Sequence, residues 1–113
     1  MKLEIFKDKR GILTWASTKL TEFDYKYLAI GTIKKGYSRG GHYHKRIVEK
    51  VLCVKGLLEL DVAGYKIILK EGDLMQINKE VPHILKNIGN DEAFFVEFKS
   101  EEFNENDKDT YIP

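Results

Sequence analysis

At 113 residues the chain has the size of one domain, and a domain of that size buries a core without disulfide or metal staples. Hydrophobic residues make up 42% of it and charged residues 33%, which excludes a disordered composition. Nineteen Lys and Arg against eighteen Asp and Glu leave a formal charge of +1, so no general attraction to nucleic-acid phosphates or anionic membranes is expected.

The opening, Met1-Lys2-Leu3-Glu4, lacks the apolar run of a secretion signal, and no stretch reaches the roughly eighteen apolar residues of a membrane span. The one cysteine, Cys53, has no partner for an internal disulfide. The expectation is a chain that works in the reducing cytoplasm, without a nucleic-acid or membrane partner.

From Thr18 to Leu28 the positions of Leu20, Phe23 and Tyr27 allow a short helix, and an extended run rich in aromatics fits them equally. Beyond that segment the pattern has a period of two. Leu58, Leu60 and Val62 oppose Glu59 and Asp61, Tyr65, Ile67 and Leu69 oppose Lys66 and Lys70, and Phe94, Val96 and Phe98 oppose Glu97 and Lys99. Glycines at 31, 36, 56, 64, 72 and 89 divide these runs at short intervals, as a hairpin-rich sheet requires. Many short strands predict an all-β sandwich or barrel. Residues 1–113 read as a single domain, with no repeat, low-complexity tract or linker. Its last stretch, 100–113, turns polar and acidic through Glu101, Glu102, Glu105, Asp107 and Asp109. A solvated tail fits that composition best; packing onto the body through Phe103 and Tyr111 is the other option.

The chemistry concentrates between Gly36 and Asn87. His42 and His44 lie two apart, so on a strand both imidazoles project from one face. Glu49 follows at an odd spacing, and a turn or bulge through Lys45-Arg46 would reset the register and let it join the histidines from the neighbouring strand. His83 comes after Pro82, a hairpin's length further on. A lone histidine on a strand is an ordinary surface or satisfied residue, but all three histidines of the chain belong to this set. Three neutral imidazoles and a carboxylate suit a divalent transition metal: zinc first, with iron, manganese or nickel as alternatives.

These residues carry a resemblance. Gly36, five residues, His42-Tyr43-His44, four residues, Glu49, six residues and Gly56 match every fixed position of the first cupin motif. Gly72, His83 and Asn87 stand at the spacing of the second motif, while Asn78 and Glu80 occupy the places of its proline and second glycine. The resemblance implies a small antiparallel β-barrel or jelly roll, with His42, His44, Glu49 and His83 as metal ligands. It also implies a homodimer, because small cupins pair through edge strands or exchanged N-terminal segments.

Within that superfamily, Asp8-Lys9-Arg10-Gly11 with Leu13 resembles the opening of sugar-nucleotide 3,5-epimerases and 3,4-ketoisomerases. Arg39-Gly40-Gly41-His42-Tyr43-His44-Lys45 resembles the histidine stretch of the ketoisomerases. His42-Tyr43-His44 with Glu49-Lys50, and the closing Phe103 and Asp109-Thr110-Tyr111, resemble the cupin domain of capsular-polysaccharide reductase/epimerases. Together they imply epimerisation or ketoisomerisation of a nucleotide-activated 4-keto sugar in polysaccharide biosynthesis, by proton abstraction beside the carbonyl. Such a reaction needs a base, an electrophile for the enolate oxygen and cations for the diphosphate. The candidate catalytic groups are His42, His44 and Tyr43, with Tyr25 and Tyr37 as further proton donors or stacking partners. Arg39, Lys45 and Arg10 are candidate diphosphate partners. A histidine bound to metal cannot also serve as the free base. The ketoisomerases use their histidine pair without metal and the polysaccharide cupin domains bind zinc; Glu49 and His83 favour the metal-bound form here. A metal-dependent oxygenase, another small-molecule isomerase and a non-enzymatic ligand-binding cupin are the alternatives.

Overall fold

The computed structural model describes residues 4–17 and 25–113, and the described residues contain strands and no helix. The strands are β1 (Glu4–Asp8), β2 (Gly11–Ser17), β3 (Tyr27–Ile33), β4 (Ser38–His42), β5 (Glu49–Lys55), β6 (Leu58–Val62), β7 (Tyr65–Leu69), β8 (Leu74–Ile77), β9 (His83–Asn87) and β10 (Ala93–Lys99). Residues 18–24 of the ambiguous Thr18–Leu28 segment lie outside the described residues; its end, from Tyr27, is strand.

Two antiparallel sheets form. One has six strands in the order β1-β2-β3-β10-β5-β8, the other four in the order β4-β9-β6-β7. The all-β, jelly-roll-like expectation holds, as two stacked sheets and not one closed barrel. Their inner faces meet over a core that includes Ile33, Val51, Leu58, Leu60, Ile77 and Phe95, all buried. Side chains of this kind each contribute roughly 1.5–3 kcal/mol on full burial. Phe95 reaches across only because β3 carries Gly31 opposite it: a Cβ there would sit 2.6 Å from the Phe95 ring.

Alternation in β10 runs opposite to the usual polar-out rule. Phe94, Val96 and Phe98 are half-buried on the outer side, whereas Phe95, Glu97 and Lys99 line the interior between the sheets. A sheet that turns charged side chains inward does so where the interior holds something other than an oily core.

The closing segment does not float in solvent. Tyr111 and Tyr43 exchange backbone hydrogen bonds of 2.9 and 3.0 Å, and their rings lie 5.5 Å apart. Phe103 sits 4.7 Å from Trp15, and Asp109 is buried. The polar composition of 100–113 belongs to a strap across the body, so the solvated-end expectation gives way to the packed one.

Candidate metal centre

The site joins both sheets. His42 ends β4 and His83 begins β9 as its direct register partner in the four-stranded sheet. Glu49 opens β5 in the six-stranded sheet, so it reaches the histidines from across the sandwich and not from a neighbouring strand. Two irregularities shape this stretch, of which the sequence leads one to expect only the second. The β4–β9 register slips between Gly40 and His42, which leaves Gly41 as the extra residue of a bulge. Gly40 has φ +104°, and a Cβ on it would stand 2.8 Å from the His83 carbonyl oxygen. The chain then bends at Lys45-Arg46, the turn that resets the register for Glu49.

The three imidazoles cluster, with centroids 4.9 Å apart for His42–His44, 4.8 Å for His42–His83 and 5.3 Å for His44–His83. Ligand atoms of all three lie within 4.8 Å of one another, a group able to hold a metal ion. His83 Nε2 is 3.0 Å and His44 Nε2 3.5 Å from Glu49 Oε2. His44 and Glu49 are 2% and 3% exposed.

Backbone carbonyls fix the tautomers. His44 Nδ1 donates to the Asp109 carbonyl at 2.8 Å, and His83 Nδ1 donates to the Val81 carbonyl at 3.0 Å. A carbonyl only accepts, so each Nδ1 carries the proton and each neutral ring turns a lone pair on Nε2 toward Glu49. His44 Nε2 and Glu49 Oε2 are buried and make no hydrogen bond among the described residues. Lone pairs and a carboxylate converging in a buried place fit a shared cation, either a metal ion among them or a proton on an imidazole.

The electrostatics favour a neutral His42 and an ionised Glu49 paired with His83. Burial, with help from the neighbouring His83 and His44, pushes His42 down to about 4, so it is neutral at neutral pH. Burial also disfavours the charged form of His83, but Glu49 outweighs it and raises that ring's pKa. Glu49 itself is held well below the usual carboxylate range: burial opposes this, and the two histidines and the Lys99 charge overcome it.

A cavity of about 420 Å³ opens beside this cluster. His42, Glu49 and His83 line it, together with Arg10, Arg39, Glu97 and Lys99 and an apolar remainder that includes Phe6, Trp15 and Phe95. A shallower depression of about 610 Å³, lined by Arg46, Glu101, Glu105 and Asp107 among others, holds none of the histidines. The structure thus brings Arg10 and Arg39 together with the histidines. Arg10 is already engaged by the Asp8 carboxylate at 2.8 Å, whereas among the described residues the Arg39 guanidinium donates only to the Thr32 carbonyl, at 3.2 and 3.3 Å. Lys45 does not line the cavity; its ammonium lies 4.3 Å from the centre of the Tyr111 ring. Tyr43 turns to Tyr111, Tyr25 to Phe98, and Tyr37 is exposed. Asn87 is buried and binds the carbonyls of Ile33 and Asp91, a structural tie at the end of β9.

Two cavity residues escape the sequence reading: Glu97 and Lys99. Burial and the adjacent Glu49 push Glu97 up to about 8, against the pull of Lys99 and Arg39. Lys99 is the register partner of Glu49 across β10–β5. The available signal was a charged pair two apart in an otherwise apolar strand, which reads as a solvent face until the sheet's orientation is known.

A family model described as "Cupin domain" matches residues 29–99. A curated relative, the UDP-2-acetamido-2,6-beta-L-arabino-hexul-4-ose reductase of Pseudomonas aeruginosa, is 34% identical over 89 residues, 71% of this chain and 24% of its own length. Among solved structures, the capsular polysaccharide assembling protein CapF of Staphylococcus aureus superposes with a TM-score of 0.85 at 20% identity, over 98% of this chain and 34% of that one. A predicted oxalate decarboxylase of Thermotoga maritima gives 0.70 at 21% identity, over 86% of this chain and 90% of that one. The chain therefore spans about a quarter of the curated relative and about a third of CapF, and the structural likenesses speak for the fold.

Proposed function

This chain belongs to the cupin family, and from that membership we propose that it is a metal-dependent epimerase or ketoisomerase of a nucleotide-activated 4-keto sugar. The observation that carries the reading is the cluster of His42, His44 and His83, with Glu49 Oε2 3.0 Å from His83 Nε2 and 3.5 Å from His44 Nε2, beside a cavity that also holds Arg39 and Arg10. The curated relative, whose name describes a reductase of a UDP-linked hexul-4-ose, supports the substrate class.

The hydrogen on the carbon next to such a ketone is acidic. Its transfer to a basic side chain of the cavity that does not hold the cation, the Glu97 carboxylate, gives an enolate, and return of the proton yields an epimer or moves the carbonyl. A divalent cation, zinc by the donor set, supplies an electrophile for the enolate oxygen when bound. The chain's own residues do the rest. His42, His44, Glu49 and His83 hold the cation, with the Asp109 and Val81 carbonyls fixing two of the rings. Arg39, which has no carboxylate partner in the described structure, takes the diphosphate, and Arg10 in its Asp8 pair assists. Apolar walls such as Leu60, Leu85 and Phe95 keep water from the reacting carbon. Tyr43, turned to Tyr111, stays out of the proton path. His42, neutral and facing the cavity, is the base of a metal-free variant of the same chemistry. A cytoplasmic homodimer completes the proposal.

The test is solvent exchange. Incubated in heavy water with a UDP-linked 4-keto hexose, the metal-loaded protein places deuterium on the carbon beside the ketone, and a chelator stops it. A fully loaded protein that catalyses no exchange overturns the reading. Tight binding without exchange then marks a binding module, and oxygen uptake with iron marks an oxygenase.

A further inference from the structure

The segment between the ligands His44 and Glu49 is held almost entirely by the end of the chain. The N–H groups of Lys45, Arg46 and Ile47 converge on the Asp109 carboxylate at 3.1, 2.8 and 3.0 Å. On one side of them, Tyr43 pairs with Tyr111; on the other, Val48 exchanges hydrogen bonds with Ser100 at 2.9 and 3.0 Å. Arg46 adds ion pairs to Glu101 and Asp107 at 3.4 and 3.2 Å on the surface. The same Asp109 that receives three N–H groups on its side chain offers its carbonyl to His44 Nδ1 at 2.8 Å.

Asp109 is 2% exposed and sits at φ +50°, a backbone region that aspartate tolerates better than most residues. Three successive N–H groups pointing at one carboxylate form an anion-holding nest, here filled from within the chain. One residue therefore fixes both the shape of the turn and the rotation of the ring at its start. We propose that Asp109 is a positioning residue of the metal centre, acting through the 45–47 turn and the His44 imidazole, and that the strap 100–111 is a working part of the site. The proposal rests on the metal-centre reading above and adds to it a residue that never touches the ion.

The experiment measures zinc affinity by competition with a chromophoric chelator, in the wild type and in Asp109→Asn and Asp109→Ala. The cobalt-substituted protein gives a visible spectrum that reports ligand geometry. Loss of an outer-shell partner weakens metal binding roughly 10- to 100-fold, so Asp109→Ala is expected in that range and Asp109→Asn, which keeps one acceptor oxygen, between it and wild type. Both variants shift the cobalt spectrum. Leu58→Ala, a core truncation far from the turn in sequence, controls for general destabilisation and retains wild-type affinity and spectrum. If Asp109→Ala does not fold, the isosteric Asn variant decides. Affinities within twofold of wild type, or an equal loss in Leu58→Ala, overturn the role of Asp109 and leave the metal centre standing. No zinc uptake by the wild type sinks the centre and this role with it.

Discussion

His42 and His83 are direct partners across the β4–β9 pair, with ring centroids 4.8 Å apart and planes at 89°. Two imidazoles locked at the junction of two strands leave their ligand atoms with little freedom, while Glu49 arrives from the opposite sheet. The ion would therefore tie the two layers of the sandwich together.

Metal removal follows from that relationship. A ligand that binds only the folded state stabilises it by about 2.7 kcal/mol at a hundredfold excess over Kd. For a domain of this size that is a fall in Tm on the order of 10 °C on chelation. Calorimetry with and without chelator measures it, with zinc re-addition restoring the original value. The variants His83→Ala and Glu49→Gln should melt at the same temperature with and without zinc. A wild type indifferent to both chelator and zinc contradicts the centre.

The two arginines of the cavity should not behave alike. Arg10 spends its charge on Asp8, whose carboxyl that contact, working against burial, draws down to about 2; Arg39 gives its donors to a neutral carbonyl. A charge-assisted contact to phosphate contributes about 1.5–3 kcal/mol, so Arg39→Ala is expected to raise KM for a nucleotide sugar by roughly 10-fold or more. Arg10→Ala should raise it less. Steady-state kinetics with both variants decides, and a larger effect at Arg10 reverses the assignment.

Much of this was legible in the chain. His42, His44, Glu49 and His83 could be picked out because ligand chemistry restricts residue type and spacing, and the bend at Lys45-Arg46 followed from the odd interval to Glu49. The inward face of β10 was not legible, because alternation gives two faces without saying which one the other sheet will cover. Glu97 and Lys99 were lost for that reason. The role of Asp109, noted only as part of the closing Asp109-Thr110-Tyr111 resemblance, was lost for another: its partners lie more than sixty positions back, and an acidic residue in an acidic tail carries no local mark of burial.

The outer face of the six-stranded sheet has a consequence of its own. Ile30, Val96, Leu52 and Leu74 are successive register partners across β3, β10, β5 and β8, and Ile30 and Leu74 are 47% and 53% exposed. Across those four strands, about 4.8 Å apart, the row forms an apolar stripe of the kind that a subunit interface buries. The homodimer proposed above would seat a second copy here, face to face about a two-fold axis. Ile30→Glu should convert a dimer to a monomer at micromolar concentration by light scattering, with the fold intact. A wild type that is monomeric, or a variant that stays dimeric, rules the face out.

Glu80 supplies the last prediction. It stands where the second cupin motif has glycine, and the backbone keeps the left-handed conformation there, at φ +65°. The turn that delivers His83 thus retains its shape with a side chain that resists it. A left-handed conformation costs an L-residue about 1–2 kcal/mol, and glycine gives back roughly 0.5–1 kcal/mol through its extra unfolded-state entropy. Glu80→Gly should therefore stabilise the fold by about 0.5–1 kcal/mol and raise Tm by a few degrees. Glu80→Ala keeps the strain and should not. The two melting curves test the physics of the turn, and because the His83 approach is unchanged, zinc affinity should stay at the wild-type value in both.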